Sequence, residues 1–542
     1  MIRFAPDSYD GRRRPVGSAL ALVSLLLAAS AGAQVERTGQ TAGGAYYRIV
    51  VPEGWTPADG LVIYNHGFDL DPPGPRPELG PLVDVQLAEG YAVAASSYSL
   101  NGWALFRTRI DNRELVDVFT SMFGTPDEVF VTGASLGGIV TVQAIESGEM
   151  GNVVGGLSLC GAVAGSRLWD GALDLRLLYD AVCGEVPGAA IPGGAGGLPY
   201  PPDPSLTEVT LLARVVACTG ALLPDALRSS DQIERRERLL ELTRLPNEEF
   251  LLVDLGYATF GLSDLINDPR KLGGASPFTN ALVEYGDPEI DASIERVSAD
   301  PEARRFFLEN YTPTGEVGDA KVVALQTDKD GLVPVENTSE YAAVMPAGRL
   351  TVGIVVEEEP SHCGFADTEV LAAWESLREW VEGAPQPSAS DLQATCESLA
   401  KDGAASGPCR IDPGFVVPDF DDRIRPRGGA CVQDQDTFCL GADGRFRAEV
   451  VWEDFSGNTG RGRTTPFNTA DSGSFWFFDP ANVEMIVKVL DARNVNGRFW
   501  VFYGSLTNVE FELKVTDTET GSERIYRNEP GVFASRGDTE AF

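Results

Sequence analysis

The sequence predicts an α/β domain on a mostly parallel sheet, followed by an all-β domain. Three observations carry this expectation. Short apolar strands alternate with helical segments from about residue 45 to 160, the rhythm resumes near residue 321, and beyond about residue 430 strands follow one another with only turns between them. Apolar strands without polar alternation, separated by helices, mark a parallel sheet covered on both faces.

Taken in order, "AYYRIVVP" and "LVIYNHG" read as strands, "VDVQLAEG" as a short helix and "YAVAASSYS" as a strand. The amphipathic "ALFRTRIDNRELVDVFTSMFG" follows, then "DEVFVTG", "GGIVTVQAIESGE" and "NVVGGLSLC" as strand, helix and strand. From about 165 to 319 Gly/Pro clusters such as "PGAAIPGGAGGLPYPPDP" and helical pieces such as "IERRERLLELTRL" predict a helical insertion. "KVVALQ", "ENTSEYAAVM" and "RLTVGIVV" restore the strand–helix alternation. In "DTEVLAAWESLREWVEG", Val370, Leu371, Trp374, Leu377 and Val381 share one helical face. "GAPQPSAS" begins an expected connector over 383–430 with one helical stretch. The segments "RFRAEVVWEDF", "SFWFF", "EMIVKVLD", "RFWVFYG" and "VEFELKVTD" then make 431–542 a small sandwich or barrel.

Composition narrows the function. The 542 residues carry a formal charge of −37, which argues against nucleic acid, anionic lipid surfaces and strongly acidic substrates as partners. At the N-terminus "GRRRPVG", the apolar "SALALVSLLLAAS" and "AGA" before Gln34 read as an export signal over 1–33. Cleavage is expected after Ala33, with delivery to the periplasm or the extracellular space and no stable membrane insertion. Eight cysteines in an exported chain suggest disulfides, and the short loops favour Cys396 with Cys409 and Cys431 with Cys439. Cys183 and Cys218 are read as bracing the insertion. Without a C-x-x-C pair, and with two histidines far apart, no metal site is expected.

The chemistry centres on "DEVFVTGASLGGIVTV", which holds G-x-S-x-G where a buried strand turns into a helix. Gly133 and Gly137 allow a cramped turn that projects Ser135 at the carboxyl end of the sheet. A serine hydroxyl is a weak nucleophile until a base takes its proton, and the two histidines limit the choice. Only His362, in the loop after the last sheet strand, follows Ser135 in the order serine, acid, histidine. The orienting acid is expected after the penultimate sheet strand, where "KVVALQTDKDGLVPV" offers Asp330, with Asp328 as the alternative. "EEEP" before His362 reads as a solvated acidic loop. Cys363, beside the base, reads as a disulfide or packing residue. Tyr98, Asn101 and Trp103, after the strand "YAVAAS", are candidates for lining a substrate pocket.

On His66-Gly67, the turn from Gly133 to Gly137, Asp330 and His362, residues 40–382 resemble the α/β-hydrolase superfamily of serine hydrolases. The resemblance implies an eight-stranded, mostly parallel sheet, a catalytic domain over 34–382, and a helical cap inserted before the acid strand. It further implies an oxyanion hole from the main-chain N–H of Leu136 and one from Gly67 or Phe68, shaped by His66. The implied chemistry is hydrolysis of small or polymeric carboxylic esters through an acyl-enzyme, without metal or organic cofactor. A prolyl-peptidase-like enzyme uses the same machinery, and a catalytically silent binding or adhesion module is the alternative of a different class. Residues 430–542 resemble a little-characterised β module of exported bacterial proteins. That likeness leaves two roles open: attachment to a surface or polymer, or plain stabilisation and sorting.

Overall fold

The computed structural model describes residues 34–542 apart from 281–282, 284, 298, 421–430, 432, 442–443, 467 and 519–521. The expected export signal therefore lies outside the described residues. The chain divides into two compact units, one of residues up to Val163 with Gly315–Val417, the other of Ala164–Thr314 with Pro418–Phe542.

The first unit is built on eight strands: β1 (Gln34–Gln40), β2 (Tyr46–Pro52), β3 (Leu61–Asn65), β4 (Ala92–Ser96), β5 (Val129–Ala134), β6 (Val153–Leu159), β7 (Lys321–Thr327) and β8 (Leu350–Val355). They lie in the order β1-β2-β4-β3-β5-β6-β7-β8. Strands β3 to β8 pair parallel, whereas β2 runs antiparallel to both β1 and β4. The central strands β3, β4 and β5 are almost wholly buried, as the absence of alternation in "LVIYN", "AVAAS" and "VFVTGA" requires. The helices of this unit are α1 (Val83–Ala88), α2 (Leu105–Phe123), α3 (Leu136–Ser147), α4 (Asn337–Val344), α5 (Asp367–Val381) and α6 (Ala389–Asp402).

Trp374 on α5 anchors one face of the sheet. It is fully buried, meets Phe130 and Tyr91 edge to face, and its indole N–H donates to Glu89 Oε2 at 2.9 Å. A buried indole needs such an acceptor. Val370, Leu371, Leu377 and Trp380 extend the same apolar cluster to Leu157, Val323 and Leu325 on the strands.

The helical stretch expected within the 383–430 connector is present. Residues 389–402 form α6, whose Leu392 and Leu399 join the core beneath α5. Ser388 caps α6 through a reciprocal bond with Asp391, and a disulfide joins Cys396 to Cys409. Ile411 then bridges Val355 on β8 in antiparallel register. A short apolar face is thus buried and secured by a cross-link within a segment of linker-like composition.

The second unit contains the insertion's helices, Leu168–Cys183, Glu208–Thr219, Ser230–Thr243, Glu248–Gly256, Leu262–Asn267, Pro288–Ser293 and Pro301–Glu309. Side-chain caps start several of them, with Thr207, Ser229, Asn247, Asp287 and Asp300 each accepting from a main-chain N–H of the first turn. A disulfide joins Cys183 to Cys218, at the ends of the first two helices.

The C-terminal domain is all-β. Its strands are β9 (Thr437–Leu440), β10 (Phe446–Glu453), β11 (Thr459–Arg461), β12 (Arg463–Thr464), β13 (Ser472–Trp476), β14 (Met485–Ala492), β15 (Arg498–Ser505), β16 (Glu510–Asp517), β17 (Ser522–Asn528) and β18 (Ser535–Asp538). They make two antiparallel sheets, β11-β10-β16-β17 with β9 on β10, and β12-β13-β14-β15-β18. Alternate residues, among them Phe446, Val450, Phe475, Val487, Val501 and Leu513, fill a single core. Cys431 and Cys439 are disulfide-bonded beside it.

Candidate active site

Ser135 sits between β5 and α3 with φ 56° and ψ −124°, a backbone conformation that costs a non-glycine residue about 1–3 kcal/mol. The glycines around it make that turn possible. A Cβ on Gly137 would lie 1.9 Å from the carbonyl oxygen of Asn65, and one on Gly133 2.1 Å from that of Gly137. At Gly138 it would lie 2.4 Å from Cα of Gly161. The start of α3 therefore sits directly on the ends of β3 and β6. The Ser135 N–H donates to Leu159, and its carbonyl accepts from Gly138 and Ala162. Leu136 opens α3, so its N–H is among the first-turn donors that have no intrahelical acceptor.

Two distant loops reach this serine. The turn after β7 carries Asp330, whose Oδ1 accepts the main-chain N–H groups of Leu332 and Val333, both at 3.0 Å. That local arrangement fixes the carboxylate and leaves Oδ2 to accept from His362 Nδ1 at 2.7 Å. His362 Nε2 lies 2.9 Å from Ser135 Oγ. With Nδ1–H donating to a carboxylate, Nε2 is the acceptor and the hydroxyl the donor. The acid side chain has no exposure and the imidazole 13%. Asp330 rather than Asp328 is the carboxylate that meets the ring, while Asp328 Oδ1 accepts the Glu357 N–H at 2.8 Å.

His66 is separate from this chain of bonds. Its Nδ1–H donates to the Gly67 carbonyl at 2.8 Å and its ring stacks on Tyr98, centroids 4.1 Å apart. Burial holds its pKa below the ordinary histidine value, so it is neutral near pH 7. Tyr98 is itself buried and donates its hydroxyl to the His66 carbonyl at 3.2 Å. Trp103 is buried, and Asn101 Nδ2 donates to the Leu70 carbonyl at 2.6 Å.

Two features escape the sequence reading. Cys363 pairs with Cys160 at the end of β6, with Cα atoms 5.3 Å apart. Both cysteines follow the carboxyl end of a strand, which was the available signal. Cys160, His362 and Cys363 offer ligand atoms within 4.8 Å of one another, but the two sulfurs are bonded and neither is a thiolate. Secondly, Glu357 of "EEEP" is not solvated. It is 4% exposed, accepts from the Ser361 hydroxyl and N–H, and burial pushes its pKa up.

The eight-stranded order, the antiparallel β2 and the serine turn after β5 define the α/β-hydrolase fold, here with an all-β domain after it. No known family pattern matches the chain, and no curated protein matches it in sequence. Among solved structures it is similar to an acetyl xylan esterase from Paenibacillus sp. R4, with 14% identity over 68% of this chain and 89% of that one, TM-score 0.29. It is also similar to an esterase from Rhodococcus sp. ECU1013, with 16% identity over 64% and 98%, TM-score 0.30. A third is the rice cell wall degrading esterase from Xanthomonas oryzae, with 11% identity over 64% and 87%, TM-score 0.29.

Proposed function

We propose that this protein is a secreted serine hydrolase that cleaves carboxylic esters. The observation that carries the reading is the continuous path from Asp330 Oδ2 through His362 to Ser135 Oγ, at 2.7 and 2.9 Å. Ser135 attacks the ester carbonyl as His362 Nε2 takes its proton. The Asp330 carboxylate holds the ring in the required tautomer and stabilises the imidazolium. The imidazolium then protonates the departing alkoxide, leaving an acyl group on Ser135. Water, deprotonated by the same nitrogen, releases the acid and restores the serine.

The developing oxyanion needs donors that are already aimed, and Leu136 N–H with Gly67 or Phe68 N–H is the proposed set. Neutral His66 supports that loop from behind and moves no proton. Export is consistent with four disulfides, which persist in oxidising compartments. Among the described residues no helix is long and apolar enough to cross a membrane. The test is hydrolysis of p-nitrophenyl esters of graded chain length by the wild-type protein and Ser135→Ala. Turnover lost in the variant supports the proposal. Turnover of peptidyl amides alone would move the activity to a peptidase, and no turnover of either would favour a binding module.

A further inference from the structure

We propose that Arg410 is a positioning residue for His362, and that 389–412 belongs to the reaction site rather than to a tether. The inference rests on reading Ser135 and His362 as the reacting pair.

The imidazole hangs from a loop, Ser361–Gly364, that belongs to no strand or helix. Such a loop holds a side chain to catalytic tolerance only if the surrounding contacts fix it. On one side Glu357 accepts from Ser361 Oγ and from Ser361 N at 3.3 Å, and Thr327 Oγ1 donates to the Ser361 carbonyl at 3.4 Å. In the middle Cys363 is tied to Cys160. On the far side Arg410 Nη2 donates to the Gly364 carbonyl at 2.8 Å. The loop is closed tightly, since a Cβ on Gly364 would lie 1.8 Å from Ser361 Oγ and 2.2 Å from Glu357 Oε1.

Arg410 is well placed to act as an anchor. Its Nε and Nη2 donate to both oxygens of Glu369, a fully buried carboxylate, at 3.1 and 2.9 Å. A planar guanidinium can serve that carboxylate and the Gly364 carbonyl together, which an ammonium cannot match. Its main chain is fixed too. Val356 N donates to the Arg410 carbonyl at 3.0 Å and Asp412 N to Ile354 at 2.8 Å, adding a short antiparallel rung to β8. Behind it stand the Cys396–Cys409 disulfide, Gln393 Oε1 accepting from Ile411 N, and Thr368 Oγ1 donating to the Pro408 carbonyl. A chain of contacts thus runs from α6 to the loop that bears the general base.

The experiment uses the full-length protein with p-nitrophenyl butyrate and a fluorophosphonate probe, at temperatures where thermal melts show every variant folded. In Arg410→Ala, kcat and the labelling rate fall about 10- to 100-fold, the loss expected when a reacting group shifts by about 1 Å, while KM stays within about twofold. Arg410→Lys recovers part of the loss. Arg410→Ala strands a buried carboxylate, so a second variant, Arg410→Met with Glu369→Leu, removes both charges together. It folds and still shows the reduced kcat. Wild-type kcat in that folded double variant would overturn the inference, provided Ser135→Ala is inactive. Wild-type turnover in Ser135→Ala would instead overturn the underlying reading of the site.

Discussion

Replacing Asp330 by Asn tests the orientation of the proposed base in the most discriminating way. Oδ1 accepts two main-chain N–H groups at 3.0 Å, and Oδ2 faces the imidazole at 2.7 Å. An asparagine keeps the shape, and its single carbonyl oxygen is claimed by those two donors. Its NH2 then points at His362 Nδ1 and forces that nitrogen to accept, which moves the ring proton to Nε2. An Nε2–H cannot take the proton of Ser135. An isosteric change of this kind costs about 10⁴ in kcat, or about 5.5 kcal/mol at 1.36 kcal/mol per factor of ten. Asp328→Asn keeps a carbonyl oxygen that can accept from Glu357 N, so its kcat stays within about tenfold of wild type. Steady-state kinetics on p-nitrophenyl esters, with melting curves to establish folding, give the answer. Asp330→Asn retaining more than a tenth of wild-type kcat would mean that this carboxylate does not set the tautomer of His362.

Further outcomes follow from the same geometry. His66→Gln labels Ser135 with fluorophosphonate at a rate within about tenfold of wild type, because main-chain groups make the proposed oxyanion hole. His362→Ala, in contrast, labels at least about 10³-fold more slowly. The double change Cys160→Ala with Cys363→Ala lowers stability by about 2–4 kcal/mol in denaturant titrations, the usual range for a lost cross-link. Glu357 is held above its ordinary pKa by burial, so its contribution is present at low pH and lost as pH rises through the folded-state value. The melting temperature of wild type relative to Glu357→Gln therefore falls as the pH is raised above the usual carboxylate range, and a constant difference would contradict it.

The sheet was legible because fully buried parallel strands such as "LVIYN" and "AVAAS" leave an uninterrupted apolar signature. The serine turn was legible because only glycine fits at Gly133 and Gly137, where any Cβ meets main-chain atoms. With two histidines in the chain, the pairing of His362 with Ser135 followed from order alone. What stayed hidden depends on contacts between residues far apart in sequence. Glu357 stands in an acidic run that looks solvated, and nothing local distinguishes it from Glu358 and Glu359. Composition marks 383–430 as a connector, yet Leu392, Cys396 and Ile411 are buried against elements the local pattern does not reveal. Cys160 and Cys363 are separated by 203 residues, too far for loop length to suggest the pairing.

In the proposed mechanism His362 activates the oxygen of Ser135, and site-resolved fluorophosphonate labelling followed by mass spectrometry measures that activation. The wild-type protein should gain one phosphonyl group on the peptide containing Ser135, with folded His362→Ala reacting at that site at least about 10³-fold more slowly. Modification elsewhere, or equal labelling rates in the two proteins, would contradict the account.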